Sequence, residues 1–145
     1  MAITLHTTNC FNTLIRVAED CPARNGEEPQ PRGGNPTVAT LQYQMITTSP
    51  YTYTSDDVVF ATSAPGRALE TRATRKERSL AREAFFSKGQ ACLRASPLGK
   101  RFGWGVHADA EGRVAIYAVD SKRYRALAAD PDIAQVRAMR SKRAK

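Results

Sequence analysis

Residues Arg94 to His107 read RASPLGKRFGWGVH, a run that places three cations around Ser96 and Gly99 and ends on a tryptophan and a histidine. A turn there would offer backbone amides, a hydroxyl and guanidinium groups to a phosphate, the donors that charge-assisted anion recognition uses. Arg94, Ser96, Lys100 and Arg101 are the candidate anion-binding residues, and Trp104 joins them because an indole face stacks on a nucleobase. No Walker pattern accompanies them. The competing reading is structural: Phe102 and Trp104 alternate along a hairpin, and aromatics on its inner face pack a core. Gly103 and Gly105 then mark a bulge, or the close approach of a ligand or of neighbouring backbone.

Cys92 and His107 suggest a second chemistry. A thiol beside an imidazole, with Asp109 or Asp56 orienting the ring, would be an activated nucleophile. A free cysteine usually serves as a small apolar side chain, so the plainer reading of Cys92 is a packing residue. His6, Cys10, Cys21 and His107 are of the types zinc accepts, but their spacing lacks the tight pairs of a structural site, and neither metal nor cofactor is expected. Adjacent Asp56 and Asp57 read as a turn or cap rather than as paired acid and base.

Charge is spread unevenly along the chain. The first 66 residues hold 3 Lys or Arg against 6 Asp or Glu, a net −3, whereas residues 67–145 carry 19 against 8, a net +11. That asymmetry fits nucleic acid or a phosphorylated ligand, and equally a solvated helix face with a basic tail. With 145 residues, 41% hydrophobic, the chain has the size of one domain with one core. Three cysteines at unrelated spacings argue for reduced thiols. The start lacks the features of a signal peptide and no stretch is apolar enough for a membrane span, so a cytoplasmic protein with no membrane partner is expected.

Elements must then position these groups. Alternation from Phe11 to Ala18 predicts a strand, and the breakers between Cys21 and Pro36 predict a long loop over 21–36, read as mobile. Asn35 and Pro36 read as the start of a helix to about residue 48, and Val58 to Phe60 as a short strand. Thr74 and Glu77 fit a capping box for a helix with an apolar stripe of Leu80, Ala84 and Phe85, stopped by Gly89, and Ala91 to Arg94 read as a brief strand. A hairpin near 101–118 turns at Asp109 to Gly112, Ser121 caps a further helix, and Val136 to Met139 read as a last strand or helical turn. The fold class is α+β: a single domain over 1–139, an antiparallel sheet packed on one face against about three helices, and a basic tail over 140–145.

HTTN at 6–9, AEDCP at 18–22, TSDDVVF at 54–60, FFSKGQ at 85–90, RASPL at 94–98 and AMRSKR at 138–143 together resemble a bacterial single-domain family of unknown function. The resemblance covers nearly the whole chain and implies domain extent, with no activity, ligand or site residue attached. The functional expectation is a binding protein for RNA, DNA or a phosphorylated small molecule through its basic C-terminal half. A cysteine-dependent or pocket enzyme using Cys92 and His107, or a protein-interaction module, are the alternatives.

Overall fold

The computed structural model describes residues 5–142. The expected hairpin forms from β-strands that run along Trp104–Ala108 and Val114–Ala118, in register from Trp104 opposite Ala118 to Ala108 opposite Val114. Its turn is set by Asp109, whose Oδ1 accepts from the amides of Glu111 and Arg113, and by Gly112 at φ 80°. Thr13–Arg16 pairs antiparallel with the first hairpin strand, and Ala134–Arg137 adds to its other side. In chain order these four strands are β1 (Thr13–Arg16), β2 (Trp104–Ala108), β3 (Val114–Ala118) and β4 (Ala134–Arg137), arranged β3-β2-β1-β4.

The sheet is mostly antiparallel but not wholly so, because β4 lies parallel to β1. The reason is topological. β3 also runs parallel to β1 through two antiparallel steps, so the chain must cross the sheet between β3 and β4, and parallel strands need such a crossover, usually helical. The crossover is the helix Lys122–Ala129, capped by Ser121 as the sequence predicts.

The crossover helix leaves neither face of the sheet bare. Ile15, Val106, Val114 and Ile116 share one face and belong to the main core with Ile46, Val58, Leu93 and Leu98. That face meets the helices α1 (Val38–Thr48) and α5 (Pro97–Arg101). Leu14, His107, Ala115 and Tyr117 point the other way, toward the crossover helix, α6. Helices therefore cover both faces, against the expectation of one. Gly105 makes this possible on the α6 side: a Cβ there would overlap the Tyr124 ring.

Three local readings change. Val58 to Phe60 are helical, within α2 (Ser55–Ala61), because Thr54 and Asp57 form a reciprocal capping box. The cap of α1 is Thr37 paired with Thr40, two residues beyond Asn35. Residues Leu93–Ala95 form a one-turn 3-10 helix rather than a strand. After the short α3 (Ala64–Ala68), α4 (Arg75–Phe86) carries the predicted box of Thr74 and Glu77, but its buried residue is Phe86, while Leu80 is 56% exposed. The loop over 21–36 contains no helix or strand longer than one bridge, yet it is tied to the hairpin. Glu27 N donates to Phe102 O at 2.9 Å, and Trp104 Nε1 donates to Glu27 O at 2.8 Å.

Candidate anion-binding site

The five residues of the predicted grip do not converge on one point. Ser96 is buried, its hydroxyl donating to Gln42 Oε1 and accepting from Leu98 N as the cap of α5. Trp104 packs edge-on against Tyr43 with centroids 5.4 Å apart, and its indole donor is taken by Glu27. Lys100 and Arg101 lie in the last turn of α5, where cations favour the carbonyl end of a helix. Arg94 reaches the outer edge of β4: its Nε donates to Arg137 O at 2.8 Å while Met139 N donates to Arg94 O.

The contact of Arg94 leads to a cation cluster that the sequence reading missed. Arg16 ends β1 and Arg137 ends β4, and the two are direct partners in the parallel register. Their side chains therefore lie side by side on the α6 face, one residue from where Tyr124 Oη accepts from Val17 N. Arg16 Nε is buried and donates to nothing, the one such buried side-chain atom among the described residues. A guanidinium N–H withdrawn from water without an acceptor is costly, so Arg16 is held there by the strand pairing against a local penalty.

Local carboxylates do not neutralise the cluster. Glu19 pairs with Arg140 at 3.0 Å. Asp20 accepts from the amides of Ser141 and Lys142, and those bonds, that of Lys142 foremost, hold its pKa below the usual range. Among the described residues Arg16, Arg94 and Arg137 have no acidic partner. The first three residues of the predicted tail, 140–142, thus dock against Glu19 and Asp20, while 143–145 lie outside the described residues. The missed signal was positional: TLIR and AQVR are short strand sequences that both end in arginine.

Cys92 and His107 are set on opposite sides of the sheet. His107 lies on the α6 face, whereas Cys92 lines a groove with Gln42, Val59 and Phe85 on the other. The partner of His107 is Tyr51, whose hydroxyl also contacts Tyr117. Burial lowers the His107 pKa, the nearby Arg123 adds to that, and Asp109 and Asp130 oppose it. Burial raises the thiol pKa of Cys10, with Cys92 contributing. Cys10, Cys21 and Cys92 are all unpaired, and no cluster of metal-ligating side chains occurs among the described residues.

A family model described as a family of unknown function, DUF6157, matches residues 5–144. The chain belongs to DUF6157. The match spans Arg16, Arg94 and Arg137 alike, so the cation cluster lies within the DUF6157 domain. No curated protein and no solved structure matches this DUF6157 chain. No helix among the described residues of the DUF6157 domain is long and apolar enough to cross a membrane.

Proposed function

We propose that this protein binds a phosphate-bearing partner, a single-stranded nucleic acid, at the carboxyl ends of β1 and β4. The carrying observation is the in-register pair Arg16 and Arg137, neither of which has an acidic partner among the described residues. Arg137 is exposed, and guanidinium groups suit phosphate because their donors form a rigid fork. Arg94, whose Nε is held on Arg137 O at the edge of β4, adds a third cation beside the pair, so that more than one phosphate of a chain is accommodated. Trp104 contributes by fixing the hairpin to the loop through Glu27 instead of stacking on a base.

The test is fluorescence anisotropy with a labelled single-stranded DNA at low salt. Arg16→Gln with Arg137→Gln is expected to weaken binding by about tenfold or more, since each phosphate contact contributes through a charged hydrogen bond. Equal affinity in the double variant overturns the assignment of the site. Competition by a small phosphate ester alone, with no binding of DNA, redirects it to a phosphorylated small molecule.

A further inference from the structure

The Arg16 cluster leaves unexplained a second concentration of cations, on α4. Arg75, Arg78 and Arg82 recur at helical spacing and line one wall of a cleft of about 550 Å³, a volume in the range of small-molecule sites. Its opposite wall is apolar, built from Met45, Phe60, Ala61 and Leu69. Arg75 and Arg78 are exposed and, with Arg82, border this concavity.

The three guanidinium groups are held differently. Arg78 is fixed by backbone carbonyls, its Nε donating to Ala73 O at 3.2 Å and its Nη2 to Glu70 O at 3.1 Å. Those acceptors are neutral, so its positive charge is undiminished. Arg82 pairs with Asp57 at 2.6 Å and lies 5.6 Å from the centre of the Phe86 ring. Arg75 has no hydrogen-bond or ion-pair partner among the described residues, and neither do the hydroxyls of Ser79 and Tyr53. The cleft thus presents one fixed cation, one free cation and two free hydroxyls beside an apolar wall, with Asp57 already neutralised.

We infer that this cleft binds an amphipathic organic anion, a carboxylate or phosphate monoester with a compact apolar body, its head on Arg75 and Arg78 and its body against Leu69 and Phe60. Neither half of the site suffices for a ligand of one kind. A bare anion would leave the apolar wall wet, and a neutral hydrocarbon would displace water from Arg75 without supplying an acceptor. The site is separate from the Arg16 cluster and does not depend on the reading given to that cluster.

Calorimetric titration of the full chain with octyl phosphate, below its aggregation threshold, tests the inference. Saturable binding is expected, with inorganic phosphate and octanol each weaker by about tenfold or more, because each keeps only the polar or the apolar contacts. Leu69→Glu and Arg75→Glu are each expected to reduce affinity by about tenfold. Arg75 is exposed, so its substitution leaves the fold intact and decides the matter even if Leu69→Glu perturbs folding. Both variants should bind single-stranded DNA like the parent if that binding rests on Arg16 and Arg137. Octanol or octyltrimethylammonium binding as tightly as octyl phosphate overturns the inference, as does unchanged affinity in Arg75→Glu.

Discussion

The Tyr51 hydroxyl lies 2.7 Å from Nδ1 of His107, tying the segment between α1 and α2 to the middle of the sheet. Tyr51 adopts φ 56°, a left-handed conformation uncommon for a bulky residue, and its amide donates to Val114 O. The side-chain and backbone bonds together hold the segment along the outer edge of β3.

Because burial lowers the His107 pKa, the folded protein takes up the proton less readily than the unfolded chain, whose histidine titrates near 6.5. The stabilisation is complete above that value and is lost as the pH falls through it toward the folded pKa. Denaturant unfolding at about pH 7.5 and pH 5.5 should show a larger loss of stability on acidification in the parent than in His107→Gln. Identical losses would mean that His107 is not coupled to folding.

Ser96→Ala separates the structural from the functional reading of RASPL. The hydroxyl is buried, bonded to Gln42 and caps α5, so its removal should cost about 1–3 kcal/mol in chemical unfolding. DNA affinity at a temperature where the variant is folded should be unchanged. A variant as stable as the parent but weaker in binding would return Ser96 to the site.

Gly105→Ala tests the placement of α6. The added Cβ runs into the Tyr124 ring within a packed layer. A loss of about 1–3 kcal/mol in thermal or denaturant unfolding is expected, and partial recovery in the double variant with Tyr124→Leu. A neutral substitution would place Tyr124 elsewhere.

Much of the architecture was legible where short-range chemistry decides it. Thr74 with Glu77 and Ser121 cap helices as predicted, and the turn at Asp109 to Gly112 joins the hairpin. Val58 to Phe60 misled because three β-favouring residues outweighed the box of Thr54 and Asp57, although a cap is a local bond that forms whatever the propensity of the residues after it. Asp56, read as a turn residue, is a long-range anchor. It accepts from Thr7 Oγ1, Thr8 N and Thr8 Oγ1, so HTTN and SDD form one cluster across 48 positions of chain. The cation cluster was hidden for the same reason. Arg16 and Arg137 meet only through the parallel pairing of β1 and β4, which no local pattern specifies. Arg94 was found, for its cationic neighbours in sequence rather than for the edge of β4 that it touches.

Thiol labelling addresses the cysteine chemistry. Burial, with Cys92 nearby, raises the Cys10 pKa, which keeps that thiol protonated at neutral pH. Cys10 should alkylate more slowly in the folded protein than in denaturant by about tenfold or more, and Cys92 should show no activation by His107, so His107→Gln leaves its rate unchanged. Rapid labelling of Cys92 that falls in His107→Gln would support the enzyme reading instead.

The salt dependence of DNA binding tests the anion-site account most directly. Anisotropy with a single-stranded oligonucleotide between about 50 and 200 mM salt counts the phosphates neutralised, because each contact releases counterions. The cluster with its flanking cations predicts about four to six contacts and a log-log slope of about −3 to −4, reduced in magnitude by about 1 to 1.5 in Arg16→Gln with Arg137→Gln. Absence of binding at the lower salt, or a slope unaltered by that double substitution, would contradict the assignment of Arg16 and Arg137 as the phosphate site.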